Sequence, residues 1–151
     1  MNYTQLLRIS EAGMSAERAR IEAVAQNMAN ANTVASPDGA TYQPRTVLLR
    51  SVALPTRDES FAQALGRSEQ QRATAHVPQA TVVSLDAPTR SVWDPGHPAA
   101  DAAGFVRQPR VDAAREMLTF MNAMRSYEAN VYVASATRAL ALKTLEIGGG
   151  A

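Results

Sequence analysis

His76 and His97 are the only imidazoles in the chain, and no cysteine accompanies them. The densest run of possible ligands is "WDPGHPAAD" (93–101), which holds Asp94, His97 and Asp101. One ring nitrogen and two carboxylates could in principle hold a divalent cation. A single imidazole is a weak donor set, however, and Pro95, Gly96 and Pro98 favour a stiffened loop carrying a solvated histidine. No metal and no cofactor is expected. The lack of cysteine excludes disulfide frameworks, thiol catalysis and Cys-based zinc sites. There is no G-x-S-x-G, Walker A or G-x-G-x-x-G motif, and "IGGGA" (147–151) follows a helical pattern. Its glycines read as a helix stop, not a phosphate cradle. With no catalytic constellation, an enzyme is not expected.

The other polar cluster is "QNMANANT" (26–33). Asparagine amides compete for backbone groups and are poor in helix interiors. Asn27 lies beside an apolar stripe, while Asn30 and Asn32 fall at its exit. Two readings stand together. The amides cap a helix terminus, or they fix register against a partner helix.

The elements that must carry these residues follow from the prolines. All eight lie between residues 37 and 109. Proline is costly inside helices and common in turns and strand edges. The plan is helix, β or irregular middle, helix. The first helix is expected from Thr4, its N-cap, to Asn30, with Leu7, Met14, Ile21 and Met28 recurring every seven residues. Its small residues, Gly13, Ala16 and Ala23 among them, let another helix approach. The last helix is expected from the cap Asp112 to Glu146, stopped by Gly148–Gly150. Its stripe is Met117, Phe120, Met124, Tyr127, Val131, Ala134, Ala141 and Leu145, interrupted by Arg138. At about 1.5 Å per residue it would be on the order of 50 Å long, which suits a coiled coil or helical array. Methionine at helical spacing reads as packing filler. Tyr127 and Tyr132 suit an interface or a core equally.

The middle offers strands at 46–52, 80–85 and 90–93 and a turn at 37–42. Residues 56–76 read as a loop or frayed helix. The expected class is therefore α+β: long terminal helices paired as a coiled-coil-like unit, and a small β-rich or irregular middle. Residues 1–35 plus 110–151 form the helical unit, and 36–109 the middle.

Charge excludes further classes. Basic and acidic side chains number three and three in residues 1–35, seven and seven in 36–109, and five and four in 110–151. No segment has the basic excess of a nucleic-acid footprint, so no nucleic-acid partner is expected. No run approaches 18 apolar residues, so no membrane insertion is expected. "MNYTQLLRIS" lacks the basic and apolar regions of a cleaved signal peptide. Neither helix can bury its stripe alone, which points to an assembly protein. Expected interface residues are Leu7, Met14, Ile21, Asn27, Met28 and Asn30 on the first helix. On the last they are Met117, Phe120, Met124, Tyr127, Asn130, Val131, Ala134 and Leu145.

These residues also carry a resemblance. "RIEAVAQNMANANT" (20–33) resembles the N-terminal signature of flagellar axial rod and hook proteins, A-x-N-hydrophobic-A-N-A-x-T. "PGHPAADAAGFVRQPRVD" (95–112) and "EMLTFMNAMRSYEANVYVASATRALALKTLEIG" (116–148) are similar to segments of the C-type flagellar basal-body rod proteins. Arg110 stands where those proteins usually have Asn, and residues 53–90 carry no motif that points to the family. The resemblance implies a structural subunit of the proximal rod, a hollow drive shaft around the export channel in the periplasmic space. It implies export by the flagellar type III apparatus without a cleaved signal. Implied partners are its own copies, other rod subunits, the rod/MS-ring adaptor and the export gate. The alternative is a coiled-coil adaptor that recruits soluble partners.

Overall fold

The computed structural model describes residues 3–35, 39–54 and 75–148. Two helices, α1 (Tyr3–Ala29) and α2 (Ala113–Gly148), enclose four strands in sequence. The strands are β1 (Arg45–Ala53), β2 (His76–Ser84), β3 (Thr89–Trp93) and β4 (Phe105–Pro109). β1 pairs antiparallel with β2, and β3 with β4, as two separate two-stranded ribbons. The class is α+β, as expected.

α2 starts as its sequence dictates. The Asp112 carboxylate accepts from the backbone N–H groups of Ala114 (3.0 Å) and Arg115 (3.2 Å), which have no partner within the helix. α1 starts one residue earlier than expected, so Thr4 lies inside it and is not its cap. α2 continues through Gly148, and Gly149 and Gly150 lie outside the described residues.

The helices run antiparallel. Arg20, Ala23 and Val24 of α1 lie near Arg115, Glu116 and Thr119 at the start of α2, whereas Gly13 faces Asn130 further along. A Cβ at residue 13 would sit 2.7 Å from the Asn130 Oδ1. Glycine lets the two backbones come together there at a propensity cost of roughly 1 kcal/mol relative to alanine. Along α2 the packed seam takes Phe120, Ala123, Tyr127, Asn130, Ala134, Thr137 and Ala141, all buried or half-buried. Their spacing alternates four and three, the heptad seam of a coiled coil. Ala123 is fully enclosed, and Thr137 buries its hydroxyl by donating to the Val133 carbonyl (2.7 Å). Arg138, which broke the expected stripe, stands exposed beside that threonine and does not enter the seam.

An isolated two-stranded ribbon is marginal in water. The β1–β2 ribbon lies along α1, where Ala12, Ser15, Ala16 and Ala19 line a shallow groove with Val52, Val77 and Ala80. Pro78 sits inside β2 opposite Ser51. It is tolerated because each strand of a two-stranded sheet has an open edge that needs no donor. β4 was not anticipated, since it is only five residues long, ends at Pro109 and buries residues three apart, Val106 and Pro109, with no regular alternation. The expectation for residues 56–76 falls outside the described residues except at its end, where His76 opens β2.

The helix contact gives a double-mutant test by thermal unfolding. Gly13→Ala should stabilise an Asn130→Ala chain by about 1 kcal/mol, the full propensity gain. In the wild-type background the added methyl displaces the Asn130 amide from its 2.9 Å bond to the Ser126 carbonyl. The gain should there fall by about 0.5 kcal/mol or more, the scale of coupling between touching residues. Additive effects would contradict this packing.

Candidate assembly interface and its junction

Each anticipated interface residue has a definite place within the single chain. Met14 and Ile21 are half-buried, while Leu7 and Met28 are exposed. At about 100° per residue, this stripe lies roughly a quarter to a third of a turn from Gly13 and Asn27. The closest face of α1 is therefore made of small residues, and the larger apolar ones flank it. On α2, Phe120, Met124, Tyr127, Asn130 and Ala134 are half-buried, and Met117, Val131 and Leu145 are exposed.

The exposed apolar surface of α2 is extensive. It comprises Met117, Leu118, Met121, Val131, Tyr132, Val133, Leu140, Leu142, Leu145 and Ile147. Stepping ten residues outward from the Gly13–Asn130 contact reaches Tyr3 on α1 and Leu140 on α2. Among the described residues, α2 then continues eight residues beyond the level of Tyr3, roughly 12 Å. That overhang includes Leu145, 72 % exposed, and Ile147, 76 % exposed. These exposed apolar side chains are distributed around the helix and along its length. No described helix is long and apolar enough to cross a membrane.

The amides behave differently from the apolar stripe. Asn27 is 1 % exposed. Its Nδ2 donates to the Arg45 carbonyl (2.8 Å), and its Oδ1 accepts from the Arg45 N–H (2.7 Å) and the Tyr42 hydroxyl (2.9 Å). Burial raises the pKa of the Tyr42 phenol, with Arg45 opposing the shift and Glu116 adding to it. Asn30 serves the helix exit: its Nδ2 donates to the Gln26 carbonyl, and its Oδ1 accepts from Thr33. Asn32 accepts from Arg90 of β3 (3.0 Å). All three amides thus act within the chain. Asn30 caps the helix exit, whereas Asn27 and Asn32 bond the middle and not a partner helix. Tyr42 and Arg45 as the partners of Asn27 were not legible, because nothing in residues 39–45 marks them apart from other turn residues.

The remaining chemical candidate is the loop joining β3 to β4. The Asp101 carboxylate accepts from the N–H groups of Ala103 and Phe105, both at 2.9 Å, and His97 Nδ1 accepts from the Ala99 N–H (3.1 Å). Gly104, at φ 81°, closes this turn against Pro95 and Trp93. These polar groups build the loop, and no three ligating side chains converge among the described residues.

Comparison with known proteins places this architecture. Residues 7–34 match the model of the flagella basal body rod protein family. The flagellar basal-body rod protein FlgC of Yersinia enterocolitica is 37 % identical over 148 residues, covering 98 % of this chain and 99 % of the relative. FlgC of Salmonella typhimurium is 34 % identical over the same coverage. FlgC of Bacillus subtilis is 34 % identical over 94 % of this chain and 95 % of the relative. The adaptor alternative is not favoured by these relatives, which are named as rod proteins. The small-residue helix seam, the amide-rich exit of α1 and the near full-length similarity agree: the chain belongs to the FlgC family of flagellar basal-body rod proteins.

Proposed function

We propose that this chain, a structural component of the flagellar basal-body rod by family membership, builds that rod through its paired terminal helices. Residues 1–35 and 110–151 act as the assembly unit, and 36–109 as the middle that faces outward. The observation that carries this reading is the exposed apolar surface of α2 and its overhang beyond α1. Exposed apolar surface of this extent is the kind that a neighbouring subunit covers. Contacts between unlike faces of identical subunits generate rings or open helices, and an open helix of such subunits is a hollow shaft. That shaft transmits torque and surrounds an export channel. Its contacts are with copies of the chain, other rod subunits, the rod/MS-ring adaptor and the export gate. The chain reaches the periplasmic space through the flagellar type III apparatus without a cleaved signal. It has no catalytic role and needs no metal or cofactor, a reading supported by the self-contained hydrogen bonding of His97 and Asp101.

Two kinds of substitution separate folding from assembly. Val131 is 39 % exposed and Leu145 is 72 % exposed. Val131→Asp and Leu145→Asp should change the stability of the purified chain by only about 0.5 kcal/mol, as surface substitutions do. Both should nevertheless abolish recovery of the chain in fractionated basal bodies and with it motility, because an unpaired charge buried in an interface costs several kcal/mol. Val131→Ala should only reduce recovery. Normal swimming by both Asp variants would rule out the exposed face of α2 as the assembly surface.

Ile21 is half-buried within the chain. Ile21→Asp should therefore lose both stability and incorporation, with a drop in melting temperature of several degrees. An unchanged melting curve would show that Ile21 contributes nothing to the fold of the free chain.

A further inference from the structure

We infer that Asn27 is the positioning residue that fixes the middle of the chain to the helix pair, and that it does so by acting as a neighbouring strand to the first residue of β1. Arg45 lies opposite Ser84 in the β1–β2 ribbon, but its own N–H and carbonyl point away from β2 and are both taken by the Asn27 amide. Next to it, Pro44 accepts from the Leu85 N–H (2.7 Å), which anchors the other edge. The side chain of a helical residue thus exchanges a donor and an acceptor with one strand residue, as a paired strand would.

A carboxamide presents one donor and one acceptor side by side in this way. A carboxylate would set an oxygen against the Arg45 carbonyl, and a shorter hydroxyl could not reach both groups. Asn27 is 1 % exposed, so no water replaces a lost partner. The Tyr42 hydroxyl supplies a second donor to the same oxygen, so the segment leading into β1 is held at two points, residues 42 and 45.

Adjacent residues extend the connection. Gln26 Oε1 accepts from the Arg45 guanidinium (2.9 Å). Asn32 accepts from Arg90 of β3, which also donates to Gln108 of β4 (2.9 Å), and the Ala35 N–H donates to the Arg107 carbonyl of β4 (2.8 Å). The exit of α1 is therefore bonded to both ribbons, with its one fully enclosed contact at Asn27. This junction adds directional bonds to the packing of the β1–β2 ribbon along α1. The functional meaning rests on the assembly reading above, whereas the junction is a property of the single chain.

Amide hydrogen exchange of the full-length purified chain tests the inference. In the wild type the Arg45 amide should exchange slowly. Asn27→Ala and Asn27→Leu should each speed it at least about tenfold, the factor that corresponds to the loss of one well-formed buried bond. The Ala123 amide, in the middle of the helix seam, should change by less than about twofold, as distant independent sites do. A general loss of stability would speed both amides equally, and that result would overturn the inference. So would an Arg45 amide that is fast in the wild type or unchanged in the variants. Tyr42→Phe removes one hydroxyl and no bulk, and it keeps the test decisive if the Asn27 variants fail to fold. It should speed Arg45 several-fold, and an unchanged rate would overturn the inference. Recovery of the wild-type chain in basal bodies is scored separately, so failure of the assembly reading is distinguishable from failure of the junction.

Discussion

The close approach of α1 to α2 is the constraint on which the other features depend. Gly13 opposite Asn130, and Ala123 and Thr137 within the seam, keep the helices close at those levels, with Phe120 and Tyr127 reaching in between them. Most of the remaining apolar bulk lies elsewhere on the cylinders. On α1 it flanks the seam, and on α2 it covers the outer surface and the last two turns. A pair of helices packed through small residues gains contact along its whole length, yet it leaves more apolar surface in water than a self-sufficient domain would. The same choice of residues that joins the helices prepares the chain for neighbours.

The middle is attached to this pair by polar chemistry, not by a second hydrophobic core. Among the described residues, Val106 and Pro109 are the two buried residues of β4, and the β1–β2 ribbon relies on α1 for cover. Directional hydrogen bonds at Asn27, Asn32 and Ala35 fix angles that apolar contacts of this size would leave loose. Specific geometry therefore sits at the exit of α1, and adhesive surface sits on α2.

Much of this was legible in the sequence because punctuation is local. The confinement of proline to residues 37–109 marked the two helices, and Asp112 capped α2 as its type requires. The seam was legible only in part. A seven-residue apolar repeat picked out Phe120, Tyr127, Ala134 and Ala141, but it also took Met117, Val131 and Leu145, which are exposed. Hydrophobicity alone ranks a methionine above an alanine, whereas a close pair selects for size, so Ala123 and Thr137 were passed over. The Asn27 junction depends on contacts between residues 18 positions apart. No periodicity encodes such a contact, and the asparagines could be flagged as unusual without their partners being known.

One consequence follows from the two-stranded ribbons. Every described strand has one open edge, a row of backbone groups on which a strand from another copy could pair. In a particle where many copies stand side by side, such pairing would compete with the intended contacts. The strands are built to resist it: Pro78 and Pro109 withhold donors, and Arg50, Arg90 and Arg107 put exposed charge along the edges. The Asn27 amide occupies the open edge of β1 at Arg45. Sheet-like pairing between copies along these edges is thereby disfavoured.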